Sequence, residues 1–462
     1  MRRTKIVATI GPACDAPGVL RDVIAAGVDI ARLNSSHGTM ADLTRRLAAV
    51  RAEASAAGRV IGIMLDLPGP KLRVGEMAEG VVLADGTRFV LTGEECAGDA
   101  EHACVTYDGL AADLSAGDRV MLDDGAIELV VVSVDAGDVV TLVARGGPLS
   151  SHKGVNVPGV RLGVDGVTAH DLELLAWGLN AGVDLIAQSF VRAAADVHRL
   201  RAAMGERGVP IVAKIEKYEA LDDLDAIIAA ADAVMVARGD LAVETSPEAV
   251  PPAQRRIVSA CREAGKPVIV ATQMLESMVS SPRPTRAEAS DVATAVFEGA
   301  DAVMLSEETA IGAYPAASVA TMDRVCRSAE ETGEPGLELH VPSDSVSPVA
   351  AAAVDLARDT GAVAIVTATQ SGATPRAVAR MRPPQVIVGL ARSEHMARTL
   401  ALVWGVAPVC GAVTTSIEQT TDAAIAAVRA LKVASPGDRI VLTAGTTTGV
   451  AGGSDLVRVL TL

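Results

Sequence analysis

Short apolar runs recur along the chain, each closed by polar or charged positions. They lie at residues 5–10, 28–33, 61–67, 184–190, 211–215, 233–237, 267–271 and 302–305. Runs of this length without alternation suit strands buried on both faces of a parallel sheet. Between them, segments such as 40–57 and 193–207 carry apolar and charged side chains at helical spacing. Strand and helix in alternation predict right-handed crossovers. Eight such units predict an α/β fold of the (β/α)8 TIM-barrel class, with its working face at the C-terminal ends of the strands.

The alternation breaks between the third and fourth runs. Residues 73–158 are rich in Gly, Asp and Val, with short runs at 81–83, 88–91, 120–122, 127–132 and 139–143. Turn pairs such as Asp85-Gly86 and Asp124-Gly125 separate them. This pattern predicts an inserted small β-barrel domain. An insertion in a βα loop at the working face is well placed to be a lid. After residue 305 a helical stretch runs to about residue 332, and Gly/Pro-rich pieces at 333–336 and 342–348 read as a linker. A second alternation follows, with runs at 362–366, 385–390, 406–410, 439–442 and 456–462. The expected domains are a barrel (1–72 with 159–335), the lid (73–158) and a C-terminal α/β domain (345–462).

Composition narrows the function classes. Half of the 462 residues are hydrophobic but only 2% are aromatic, so Ala, Val, Leu and Ile must build the cores. A net charge of −16 opposes binding to nucleic acid or an anionic membrane, yet leaves room for a local basic pocket that takes a phosphorylated metabolite. Cys14, Cys96, Cys104, Cys261, Cys326 and Cys410 are scattered without CxxC spacing. Reduced thiols in a cytoplasmic protein are expected, not a disulfide framework or a zinc site. The apolar run after Met1-Arg2-Arg3 stops at Gly11-Pro12, too short for a signal peptide, and no stretch approaches the length of a membrane span.

The candidate chemistry lies at the fifth and sixth runs. Lys214 and Glu216 are two residues apart and share a strand face, and Asp240 follows the next run. Neighbouring parallel strands would bring both carboxylates to one mouth. Two hard oxygen ligands beside a cation suit Mg²⁺ and a phosphoryl group, although any one of these residues alone is more often part of a surface ion pair.

An ordered set of motifs then adds to this reading. Residues 4–12 (TKIVATIGP), 31–38 (ARLNSSHG), 153–159 (KGVNVPG), 214–216 (KIE), 237–241 (ARGDL), 271–278 (ATQMLESM) and 282–288 (PRPTRAE) resemble, in order, motifs of the pyruvate kinases. The resemblance implies phosphoryl transfer from phosphoenolpyruvate to ADP, giving pyruvate and ATP. It implies Mg²⁺ (or Mn²⁺) held by Glu216 and Asp240, and catalytic roles for Lys214, Arg73 and Thr272. Arg32, Ala237 and Gly239 would join Lys214, Asp240 and Thr272 around the substrate. Asn34, His37, Arg73 and Lys153 would face the nucleotide. A cytoplasmic homotetramer is also implied. Thr285 and Glu288 have the spacing of a capping box and are expected to start a helix, and Met274 and Met278 are expected in the core.

One departure from the family pattern carries information. Many members have Thr-Lys where this chain has Leu67-Pro68, and Glu where it has Lys71. In them K⁺ sits beside the substrate, on groups matching Asn34, Ser36, Asp66 and the carbonyl of Leu67. An ammonium at Lys71 could replace that ion, so K⁺-independent activity is expected. Ser35 and Glu307 also stand where the family usually has Phe and Gly. In the C-terminal domain, Thr369, Ser371, Gly372, Thr374 and Arg376 follow a strand and open a helix, which resembles the family's effector loop. A sugar phosphate or a nucleotide would suit it, with residues 443–449 and 452–453 closing over the site; a capped helix start without a ligand reads equally well. Two rivals stand against this function: a barrel that cleaves or forms C–C bonds, and a non-enzymatic sensor.

Overall fold

The computed structural model describes residues 1–332, 346–411, 416–445 and 454–462. The linker stretch at 333–336, most of that at 342–348, and the closing residues 446–449 and 452–453 lie outside them.

Eight parallel strands close a barrel: Lys5–Thr9, Ile30–Asn34, Gly62–Leu67, Leu185–Gln188, Ile211–Ile215, Ala233–Ala237, Val268–Ala271 and Ala302–Leu305. They follow chain order around the ring, and the eighth pairs back onto the first with Lys5 opposite Ala302. Every residue of the fifth to eighth strands is buried. One side-chain set, including Val7, Ile30, Met64, Val212 and Met235, fills the interior. The alternate set, including Ile6, Ile63, Ile186, Ala213 and Val234, packs under the helices. This double burial is why the runs show no polar alternation. Helix Met40–Ala56 starts at a Thr39/Asp42 capping box, and helix Arg286–Glu298 starts at the Thr285/Glu288 box. Met274 and Met278 are fully buried.

The insertion forms its own core around Phe89, Leu91, Val120, Leu129 and Val143. Its six-stranded sheet runs in the order Val155–Asn156, Arg119–Leu122, Ile127–Asp135, Asp138–Arg145, Arg88–Thr92 and His102–Cys104, and a short ladder pairs Val82–Leu83 with Gly147–Pro148.

The C-terminal domain is a five-stranded sheet ordered Val406–Cys410, Val386–Ala391, Ala364–Thr369, Arg439–Ala444 and Leu456–Thr461, with only the last strand antiparallel. It plugs the base of the barrel. Ala401 and Leu402 join the barrel's interior cluster, and the buried Lys5 ammonium donates to the Val406 carbonyl at 2.7 Å. Burying one such leucine contributes about 1.5–3 kcal/mol. The guanidinium groups of Arg3 and Arg382 lie over the Trp404 ring, 5.7 and 4.5 Å from its centroid. Fully buried Asp184, just before the fourth strand, pairs with Arg51 (2.7 Å) of the barrel and with Arg398 (2.9 Å) of the C-terminal domain. Among the described residues no helix is long and apolar enough to cross a membrane.

Candidate active site

Five consecutive barrel strands end in one connected polar cluster. Lys214, on the fifth strand, places Nζ 2.8 Å from Glu216 Oε1 and 3.2 Å from Asp66 Oδ1, and donates to Ser189 Oγ at 2.7 Å. Asp66, on the third strand, takes Arg32 Nε of the second at 2.6 Å, and Arg32 Nη1 reaches Thr9 Oγ1 of the first at 3.0 Å. Glu216 Oε2 accepts the Phe190 N–H at 2.7 Å. Arg32, Asp66, Lys214 and Glu216 are all at most 9% exposed, so water screens their charges little.

The electrostatics follow from this burial. Burial disfavours the charged form of Lys214, but the charges of Asp66 and Glu216 outweigh it and raise the ammonium above its ordinary value. Burial also opposes ionised Asp66, and Lys214 and Arg32 reverse that. At Glu216, burial and then the nearby Asp240 carboxylate push the carboxyl upward, against the pull of Lys214. Two carboxylates in mutual repulsion are relieved by a divalent cation. Among the described residues no group of three or more His, Cys, Asp or Glu is arranged to hold a metal. Glu216 and Asp240 are the two carboxylates whose charges meet at this mouth, and they are the oxygen donors here that could hold a metal. That suits Mg²⁺, which keeps waters and takes its remaining oxygens from a phosphorylated substrate.

Backbone strain gathers at the same mouth. Phe190, just past the fourth strand, has φ of 54°, and Thr272 and Gln273, past the seventh, have 68° and 53°. Left-handed non-glycine residues cost about 1–3 kcal/mol each and collect at functional sites. Here the strain aims donors. It turns the Phe190 N–H onto Glu216, and Thr272 Oγ1 accepts the Gly239 N–H at 2.8 Å while donating to the Ala271 carbonyl at 2.6 Å.

Residues 1–319 match the family described as pyruvate kinase, barrel domain, and residues 347–460 match pyruvate kinase, alpha/beta domain. The chain belongs to the pyruvate kinase family. It is 43% identical to the pyruvate kinase of Mycobacterium tuberculosis, with 99% of this chain and 98% of that one covered. It is 42% identical to that of Geobacillus stearothermophilus, covering 99% of this chain and 80% of the relative. Among solved structures, a pyruvate kinase from Cryptosporidium parvum superposes with a TM-score of 0.92 at 32% identity, covering 100% of this chain and 96% of that one. Pyruvate kinases are phosphotransferases, and the match spans both the barrel and the C-terminal domain.

The remaining predicted residues occupy several places. Lys71 Nζ lies 3.9 Å from Asp240 Oδ1, so it faces the two-carboxylate site. Arg73 donates to the His152 carbonyl at 2.9 Å and shares with Ser35, Ser36, Lys71, Thr106 and His170 the wall of a cleft of about 760 Å³ between barrel and lid. Exposed His37 titrates below its ordinary value through partial burial and then the positive charges of Arg73, Lys71 and Arg32. Asn34 Oδ1 accepts the Ser36 N–H at 3.1 Å, and Leu67 is buried. Lys153 is paired with Asp123 of the lid at 2.8 Å. Ala237 ends the sixth strand beside Arg238, which is anchored by Asp291 at 2.7 Å and by the Thr272 carbonyl at 2.6 Å. In the C-terminal loop, Thr369 Oγ1 accepts the Gly372 N–H at 2.8 Å and Thr374 Oγ1 meets Ser454 Oγ at 2.5 Å. Arg376 Nη1 donates to the Ser371 carbonyl at 3.3 Å.

Sequence reasoning missed Thr9, Ser189 and Phe190. Strand-end hydroxyls and a backbone N–H carry no pattern of their own, and only their position beside a charged run could have marked them. It also missed a lid contact. Buried Glu244 Oε1 accepts from Asn156 of the lid (2.8 Å) and from Lys217 (2.7 Å), the residue after Glu216.

Proposed function

We propose that the chain transfers the phosphoryl group of phosphoenolpyruvate to ADP, giving pyruvate and ATP, with Mg²⁺ (or Mn²⁺) held by Glu216 and Asp240. The observation that carries this reading is the buried ammonium of Lys214, bridging Asp66 and Glu216 beside Asp240. Phosphoryl transfer asks little of a protein beyond positioning and cations placed where charge spreads. The bound metal supplies charge neutralisation at the carboxylate and phosphate oxygens of the substrate. Lys214, already protonated, faces the phosphoryl group in flight without first having to gain a proton. Arg32, held by Asp66 and Thr9, keeps its fork oriented towards phosphate oxygens. Arg73 enters from the lid side of the cleft, with Asn34, His37 and Lys153 on the nucleotide side. Protonation of the enolate carbon takes place near Thr272. Its hydroxyl is committed to the Ala271 carbonyl, so a water is the more direct proton donor there.

The same reading makes the activity independent of K⁺. Lys71 Nζ lies within 3.9 Å of Asp240 Oδ1, and both oxygens of Asp66 already serve Arg32, Lys214 and Ser189. The loop carrying Thr369, Ser371, Gly372, Thr374 and Arg376 is proposed to take a sugar-phosphate or nucleotide effector, in a cytoplasmic homotetramer. The deciding experiment measures ATP formation from phosphoenolpyruvate and ADP in Mg²⁺ buffer free of K⁺ and Na⁺. Turnover there supports the reaction and its independence of K⁺. Absence of turnover with K⁺ also present sinks the reaction, and strong activation by K⁺ sinks only the cation argument.

A further inference from the structure

One buried ion pair ties together the two chain segments that carry Glu216 and Asp240. Lys217 follows Glu216 directly, and its Nζ lies 2.7 Å from Glu244 Oε1. Glu244 is the last residue of the short helix Arg238–Glu244, one turn beyond Asp240 and on the same helix face. The side chains of Lys217 and Glu244 are 12% and 1% exposed, so water screens the pair little. Lys217 Nζ also stands 6.0 Å from the centroid of the Phe190 ring, and the Phe190 N–H is the donor that Glu216 Oε2 accepts at 2.7 Å. The residue after one carboxylate is thus tied both to the helix that carries the other and to the residue that orients the first.

Such a pair is a poor device for stability alone. Desolvating both ions offsets much of their attraction unless every polar atom is met, and Glu244 Oε2 is buried with no hydrogen-bond partner. What the pair does fix is position. Glu216 and Asp240 repel each other, so without a tether the segments that carry them are pushed apart. A metal binds more tightly to oxygens that are already held in place, because none of the binding energy is then spent on gathering them. Asn156 of the lid donates to the same Glu244 Oε1 at 2.8 Å, which closes the third side of this small network.

We propose that Glu244 and Lys217 are positioning residues whose ion pair clamps Glu216 and Asp240 together for a divalent metal. The proposal rests on the assignment of the metal to those two carboxylates. Neither Glu244 nor Lys217 touches the metal; both act through the neighbour on their own segment. The charges of the pair sum to zero. Removing both therefore takes away the tether and leaves the net charge at the mouth unchanged, and any affinity then lost reflects position rather than Coulomb attraction.

The test is Mn²⁺ binding without substrate, followed by electron paramagnetic resonance. Wild type is compared with the Lys217→Met/Glu244→Gln double variant, with Asn156→Ala and with Asp240→Asn. The double variant leaves no buried charge unpaired and keeps an oxygen for Asn156, so its urea midpoint should stay near that of wild type. Its Mn²⁺ affinity should fall by about tenfold or more, as it does when groups that orient metal ligands are removed. Asn156→Ala keeps the ion pair and should bind Mn²⁺ as wild type does. If the double variant loses its cooperative urea transition, Glu244→Asp takes its place; it keeps the charge on an arm one methylene shorter and should show the same loss. Binding lost in Asp240→Asn but retained in the double variant overturns the clamp alone. Binding retained in Asp240→Asn overturns the metal assignment, and the clamp falls with it. Asn156→Ala as weak as the double variant also overturns the proposal, since the lid contact and not the ion pair would then set the site.

Discussion

Replacing Lys71 by Met removes one positive charge 3.9 Å from Asp240 Oδ1. At that separation two unit charges interact by about 4 kcal/mol for an effective dielectric of about 20. The two side chains are 29% and 27% exposed, and solvent screening brings the figure down to about 2 kcal/mol. If the ammonium acts with similar strength on phosphoryl charge building in the transition state, its loss slows kcat/KM about 30-fold. Assayed without K⁺ and Na⁺, Lys71→Met should show that loss, and added KCl should restore part of it. Lys71→Glu, which supplies the acid many relatives carry, should be slower still without K⁺ and become strongly activated by it. Mn²⁺ binding followed by electron paramagnetic resonance separates this from damage to the metal site. Lys71 competes with a metal for Asp240, so Lys71→Met should bind Mn²⁺ at least as tightly as wild type. A Lys71→Met enzyme as fast as wild type without K⁺, or one that loses Mn²⁺, refutes the reasoning.

Lys214→Met should lower kcat by about a thousandfold while Mn²⁺ binding persists, since Glu216 loses its ion-pair partner and keeps its oxygens; a kcat within tenfold of wild type contradicts the assignment. Asp184→Asn should destabilise the protein by about 3–5 kcal/mol, because Arg51 and Arg398 are left without their shared buried carboxylate, as read from urea denaturation. Burial opposes ionisation of Asp184, but the hydrogen bonds and charges of His395 and Arg51 hold its carboxyl below the ordinary value. Its contribution is therefore present above about pH 4 and lost as pH falls through the lower folded value, so the stability gap to Asp184→Asn should narrow in acid. A gap that widens there would contradict the sign. Burial pushes the Cys14 thiol up to about 11 and the Cys326 thiol up to about 12. A thiol reagent at pH 8 should label exposed Cys410 quickly and reach Cys14, Cys261 and Cys326 only after unfolding; rapid native labelling of those three would show that the barrel opens.

The barrel was legible because both faces of each strand are buried, and that physical condition writes itself into a run of four or more apolar residues. The lid was legible as an interruption, but its strand His102–Cys104 was not, being three residues long among Asp, Glu and Gly positions. The charged end of the fifth strand was readable because period-two spacing puts Lys214 and Glu216 on one face. Thr9, Ser189 and the Phe190 N–H escaped, since a hydroxyl or an amide acquires its role only from what the ring closure sets opposite it. Lys153 illustrates the same limit. Its pairing with Asp123 depends on a left-handed turn at Asp123 and Asp124, which no spacing in the 153–159 motif encodes.

The base of the molecule was the least readable part, and the reason is general. Asp184, Lys5, Trp404 and the cations around Lys266 are held by contacts between residues up to about four hundred positions apart, such as Lys5 with Val406. Periodicity reports which face of an element is buried but not against what. Arg376 shows the consequence. By local sequence it belongs to a phosphate loop, and by packing its guanidinium lies among the cations that join that domain to the barrel.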